Sequence, residues 1–111
     1  MPYEQKEGML SLLLWPYLPP HLIEFMFYAY LIRSQKDGEL YIGSTRDLRK
    51  RFLQHNKGLV YSTKSRGPFD LVYYEAYRVE DDARHREHNL KLRANALNQL
   101  KRRIVRSLKL N

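Results

Sequence analysis

Arg51 and His55 stand four residues apart, on the side of a helix-spaced stretch that also carries Leu48 and Phe52. Glu87 falls in a second stretch of that kind, on the stripe Ala83–Glu87–Leu90. Tyr30 and Tyr41 fall in two strand-like runs, on one face of the sheet those runs would make. A carboxylate on an apolar stripe is costly unless it is paired or bound to a metal. Taken singly, these residues are accounted for by core tyrosines, a satisfied histidine, and an ion pair of Glu87 with Arg51 or Arg84. Taken together, they are an acid–base set, a cation and a metal ligand, which is what hydrolysis of a phosphodiester requires.

Elements must hold these groups in place. Phe27 to Arg33 is apolar and aromatic on both faces, as a central strand would be. Leu40–Gly43 reads as a second strand, and Asp37-Gly38 between the two is a strong hairpin signal. A two-residue turn there predicts that Tyr30 stands opposite Thr45 and Ile32 opposite Gly43, with Tyr28, Tyr30, Tyr41 and Gly43 on one face. A helix is expected over 47–56, capped by Ser44 or Thr45 and stopped at Gly58. A loop rich in Lys, Ser, Thr and Gly spans 57–68, and a third strand spans 69–77. A second helix is expected over 80–92, with acidic residues in its first turn. A third amphipathic helix, over 94–108, would turn Leu97, Leu100, Ile104 and Leu108 inward.

The 111 residues make one domain with a short extension. Residues 1–25 hold four of the five prolines, and one Lys against three Glu. They read as a flexible extension, or as the product of a start placed too early, because Met26 directly precedes the first strand. The domain proper is 26–111. Leu10–Trp15 is apolar, but Pro16 ends the run far short of the roughly 20 residues a membrane span needs. The formal net charge is +8; the first 25 residues contribute −2, so the remainder carries +10. Residues 91–111 contain seven Lys or Arg and no acid. Such a balance suits a polyanionic partner. The absence of cysteine excludes a disulfide scaffold, a thiol nucleophile and any zinc site that uses Cys.

The motifs have a familiar order. Tyr28-Ala29-Tyr30 and Tyr41-Ile42-Gly43 are followed by Gly43 to Gly58 with its Arg51 and His55. Then come Ser62 to Phe69, Tyr73-Tyr74-Glu75-Ala76, and Asp82 to Lys91 with its Glu87. From Met26 to about Leu92 the chain resembles a GIY-YIG endonuclease domain. It is most similar to the small single-domain bacterial members related to the nuclease half of the excision-repair protein UvrC. The first motif reads Tyr-Ala-Tyr where the family name has Gly-Ile-Tyr, and Tyr30 keeps the tyrosine.

The resemblance implies an α+β fold, an α/β sandwich in which a small three-stranded mixed or antiparallel sheet is flanked by about three helices. It implies a metal-dependent endonuclease acting on DNA, in repair or recombination, with branched or damaged DNA among the substrates and RNA left open. Glu87 would hold one Mg²⁺ or Mn²⁺, and Arg51 would neutralise phosphate oxygens. Tyr30 would be the general base, its phenol brought down by nearby positive charge; Tyr41 would position water or phosphate, and His55 would bond Tyr30 or relay its proton. Ser44, Thr45, Arg46, Lys64 and Arg66 would contact the phosphates. The protein would be a cytoplasmic monomer or weak dimer. Two rivals stand beside this: a nucleic-acid-binding module without catalysis, and a protein held on an anionic membrane by Leu10–Trp15 and the basic tail.

Overall fold

The computed structural model describes residues 26–110; the extension over 1–25 lies outside the described residues. Three strands, β1 (Phe27–Ser34), β2 (Leu40–Thr45) and β3 (Phe69–Tyr77), form an antiparallel sheet in the order β2-β1-β3. The apolar β1 is central, as its two-sided hydrophobicity predicts. One face of the sheet carries helix α1 (Leu48–Asn56), and the other carries α2 (Glu80–Leu92) and α3 (Ala94–Arg103), followed by the short α4 (Val105–Lys109).

The hairpin register differs from the expected one. Tyr30 stands opposite Gly43 and Ile32 opposite Tyr41, a shift of two residues. Gly38 does take the left-handed conformation (φ 74°), but the turn is wider than Asp37-Gly38 alone. The buried Ser34 hydroxyl accepts from the amides of Lys36 and Asp37, and Ser34 N bonds Glu39 O, so the loop closes on Ser34 rather than on Lys36. An even shift preserves side-chain alternation. Tyr28, Tyr30, Tyr41 and Gly43 therefore still share a face.

A bulge between β1 and β3 has a larger consequence. The register shifts at Leu31/Ile32, which leaves Val72 as the extra residue between the Leu31–Tyr73 and Ile32–Leu71 pairs. Strict alternation back from Tyr74 would place Phe69 on the opposite face. The extra residue instead puts Phe69 under α1, where it joins Tyr30 and Ile32 in one buried cluster, with Tyr41, Leu48 and Phe52 packed around it. Val72 and Tyr73 both go to the other face, against the cluster of Leu31, Leu90 and Leu100.

Helix α1 begins one residue later than expected, and Asp47 is its cap: the carboxylate accepts from Lys50 N at 3.1 Å. The hydroxyl of Thr45 instead accepts from Asp47 N. At the other end, Gly58 (φ 72°) stops the helix as anticipated, with its N–H on His55 O. The side chain of Asn56 then pairs with both backbone groups of Phe69, accepting from its N at 2.6 Å and donating to its O at 3.4 Å. This bond fixes the end of α1, and so His55, to the start of β3. The third expected helix is broken at Ile104, whose φ/ψ of −114°/27° leaves the helical region, so among the described residues four helices flank the sheet. Leu100 is fully buried as the spacing demands. Arg33 donates to the carbonyls of Leu108 and Leu110 and ties this terminus down.

Candidate active site

Tyr30 projects from β1 toward β2 and crosses over Gly43. A Cβ at Gly43 would overlap the Tyr30 hydroxyl and ring, so only glycine leaves room for the phenol. Its hydroxyl reaches α1, where it lies 2.8 Å from His55 Nε2. His55 is buried, with Phe69 against its ring, and its Nδ1 lies 2.7 Å from the hydroxyl of Thr63, which is only 2% exposed. Tyr30, His55 and Thr63 thus form a continuous polar chain through an otherwise apolar cluster.

Arg51 is one helical turn before His55 and partly buried. Its guanidinium donates to Gln54 Oε1 at 3.3 Å, and no carboxylate among the described residues pairs with it. The Arg51 charge acts on both neighbours. Burial is the larger influence on His55 and pushes it below the ordinary 6.5; the positive charge of Arg51 pushes it further down. Both influences favour the neutral ring. Burial also raises the Tyr30 phenol above 10, Arg51 pulls it back, and the negative charge of Glu87 adds to the rise. The phenol is thus not brought down overall: Arg51 acts in the expected direction, but burial outweighs it.

Glu87 comes from α2, across the sheet edge. Its Oε1 accepts from Ser44 Oγ at 2.7 Å, and its Oε2 accepts from Lys91 Nζ at 2.8 Å. It pairs with neither Arg51 nor Arg84; Arg84 pairs with Glu80 one turn back. Because Ser44 is one residue past Gly43, it points to the opposite face, which is how one strand serves both Tyr30 and Glu87. Among the described residues no three His, Asp or Glu side chains gather as a metal cluster. One carboxylate with a hydroxyl beside it, its second oxygen held by the half-exposed Lys91, suits Mg²⁺, which keeps several waters and takes one or two carboxylates plus substrate phosphates. It does not fit a closed structural site.

The remaining residues singled out from the sequence are dispersed. Tyr41 packs edge-on against Phe69 with ring centres 5.5 Å apart, one pleat from Gly43. Thr45 is engaged at the start of α1. Arg46 lies over the Phe27 ring, at 5.9 Å. Lys64 lies over the exposed Tyr61 ring, at 4.7 Å. Arg66 is paired with Asp37 at 2.6 Å, which joins the hairpin turn to the 57–68 loop. Among the described residues an open groove of about 1380 Å³ runs between α1 and the sheet, with Arg46, Arg49, Lys50 and Arg51 on one wall and Tyr28 and Tyr74 on the other.

Three residues that matter here were not singled out from the sequence. Thr63 looked like one more polar residue of a polar loop. Asn56 looked like a helix end. Lys91 looked like part of a basic run. Their partners distinguish them: Thr63 and Asn56 meet residues 8 and 13 positions away on other elements, and Lys91 meets Glu87 one turn back on the same helix.

Comparison with known proteins adds to this geometry. The family model for the GIY-YIG catalytic domain matches residues 26–102. A UPF0213 protein of Staphylococcus saprophyticus is 40% identical over 65 residues, 58% of this chain and 78% of that protein. A UPF0213 protein of Clostridium perfringens is 40% identical over 67 residues, 60% of this chain and 71% of that protein. Among solved structures, the solution NMR structure of a UPF0213 protein from Bacillus halodurans is similar at 32% identity, covering 68% of this chain and 81% of that one, with a TM-score of 0.44.

Proposed function

The chain belongs to the GIY-YIG catalytic-domain family, a family of nucleases, and from that premise we propose that it is a metal-dependent endonuclease that hydrolyses phosphodiester bonds in DNA. The observation that carries this reading is the 2.8 Å contact of the Tyr30 hydroxyl with His55 Nε2, one helical turn from an Arg51 that no carboxylate among the described residues pairs with. A structural core would not need an unpaired guanidinium beside a buried phenol.

Arg51 binds and neutralises the scissile phosphate; its planar fork suits two oxygens at once, and no carboxylate among the described residues competes for it. Tyr30 takes the proton of the attacking water, which requires the phenol to come down from its raised value. Neutralising the Glu87 carboxylate removes one of the influences that hold it up, and Arg51 already opposes them. His55 fixes the phenol by the 2.8 Å bond. Tyr41 completes the wall behind Gly43 and orients water or phosphate. Glu87 holds the divalent cation, Mg²⁺ or Mn²⁺, with Ser44 steadying the carboxylate. When bound, the ion supplies Lewis-acid stabilisation of the leaving oxygen and of the charge that develops on the phosphate.

The substrate follows the groove walled by Arg46, Arg49, Lys50 and Arg51, and α3 and α4, on the other face of the sheet, add further positive charge to the surface. Branched or damaged DNA, met in repair or recombination, is the substrate class, acted on by a monomer or weak dimer. No helix among the described residues is long and apolar enough to cross a membrane, and a chain without cysteine suits the reducing cytoplasm. The test is an assay of the purified protein on branched, single-stranded and duplex DNA and on RNA, with Mg²⁺, with Mn²⁺ and with chelator. Cleavage that needs the metal supports the reading. Binding without cleavage under every metal condition overturns it in favour of an inert nucleic-acid-binding module.

A further inference from the structure

The two walls of the groove differ in chemistry. One is basic, as described above. The other is apolar and aromatic, and its most open members are Tyr74, 51% exposed, and Leu71, 37% exposed. Tyr74 belongs to neither buried cluster. Its one aromatic neighbour among the described residues is Tyr28, edge to face with ring centres 5.9 Å apart. Arg46 lies over the Phe27 ring, but no cation among the described residues lies over Tyr74 or Tyr28. A single exposed apolar residue needs no explanation. An aromatic ring held open across a groove from a row of cations is a different arrangement.

A ligand that suits both walls is anionic along one side and offers flat apolar faces along the other. An unpaired nucleic-acid strand does this, with phosphates for the cations and base faces for the aromatic ring. A duplex does not: its base faces are stacked inside it, and only phosphates, sugars and base edges meet a protein. The register agrees with this. Tyr74 stands directly opposite Tyr30 on β3 and β1, so a base on its ring lies beside the reaction centre and not far along the groove.

We propose that Tyr74, steadied by Tyr28, is the platform on which an unpaired base of the DNA stacks next to the scissile bond. The basic wall holds the backbone of that strand, and the ring of Tyr74 selects a nucleotide free to leave its stack. Tyr74 thus sets which strand the proposed nuclease takes, and its role rests on that reading of the groove as the substrate path.

The test is binding by the full-length protein, read by fluorescence anisotropy in EDTA so that nothing is cleaved. Three labelled probes carry equal numbers of phosphates: a single-stranded oligothymidylate, the same backbone with every base removed, and a blunt-ended hairpin duplex. The wild type is expected to bind the oligothymidylate about 10-fold more tightly than the abasic strand, the worth of one stacked base. Tyr74→Leu keeps an apolar side chain and removes the ring. It is expected to lose about 10-fold on the oligothymidylate and to keep its affinity for the other two probes, with Tyr74→Phe like wild type throughout. A wild type that binds the abasic strand as tightly as the oligothymidylate overturns the proposal. So does a Tyr74→Leu protein that binds the oligothymidylate as tightly as wild type, or one that loses equally on all three probes. If the leucine variant does not fold, Tyr74→Trp decides in its place, made together with Trp15→Phe, which removes the one natural tryptophan. Its fluorescence is expected to be quenched by the oligothymidylate and not by the abasic strand, and the absence of that difference overturns the platform. A protein that shows these preferences and cleaves no substrate under Mg²⁺ or Mn²⁺ upholds the platform and overturns the nuclease reading. Cleavage without these preferences does the reverse.

Discussion

The phenol of Tyr30 occupies the space that a side chain on Gly43 would fill, and these two residues stand directly opposite each other on β1 and β2. The glycine is required by this close approach, because its own backbone conformation is an ordinary one. Gly43→Ala therefore forces Tyr30 off His55. Overpacking of this kind destabilises by about 1–3 kcal/mol, and a base misplaced by an ångström loses about 10²-fold in rate. Urea unfolding and a nicking assay check both. Combining Gly43→Ala with Tyr30→Leu should recover much of the stability and none of the activity, a coupling that two independent losses would not show.

Acid should weaken the fold through His55. Its folded pKa lies below the ordinary 6.5 because of burial first and Arg51 second. The unfolded chain then binds the proton more readily, so stability is complete above about pH 6.5 and falls as pH drops from there toward the folded value. His55→Gln should flatten that segment of a stability-against-pH curve. Urea midpoints measured between pH 7 and 5 check this, and an equal slope in the variant would count against it.

Lys91 competes with a cation for Glu87 Oε2, at 2.8 Å. Its ammonium is half exposed and free to swing away, so the pair is worth little by itself. Lys91→Met should tighten Mn²⁺ binding a few-fold, as measured by electron paramagnetic resonance titration without substrate. Unchanged affinity would argue that the ion does not use that oxygen.

Nucleic-acid binding should fall steeply with salt, since the groove wall and the terminal helices are rich in Lys and Arg. Arg46→Ala and Lys50→Ala should each lessen the slope of log affinity against log salt by roughly one. Fluorescence anisotropy with Mg²⁺ replaced by EDTA checks this without cleavage, and a flat response would contradict it.

Much of this site is legible in the chain. Tyr30, Arg51, His55 and Glu87 stand out as polar groups on apolar stripes; the structure joins Tyr30 to His55, sets Arg51 one helical turn before His55, and holds Glu87 beside Ser44 on the other face of the sheet. What is not legible depends on contacts that a one-dimensional pattern does not carry. The hairpin slips by two because Ser34, unremarkable in sequence, captures the amides of the turn. Phe69 reaches the His55 face only through the bulge at Val72. The bond of the Ser44 hydroxyl to Glu87, 43 residues away, is a contact that no local pattern announces. The last helix breaks at Ile104, although its apolar spacing runs on unbroken to Leu108.

The central claim is that Glu87 holds a divalent cation for cleavage in a site whose other groups are already in place. The most direct test is Glu87→Gln, assayed by nicking of supercoiled plasmid under Mn²⁺, with the fold followed by circular dichroism. Glutamine keeps the size of the side chain and an acceptor for Ser44, and removes the charge. The account predicts an unchanged spectrum and cleavage reduced by at least about 10³-fold, an extent in line with loss of several kcal/mol of transition-state charge stabilisation. Metal-dependent nicking by a folded Glu87→Gln protein at the wild-type rate would contradict it.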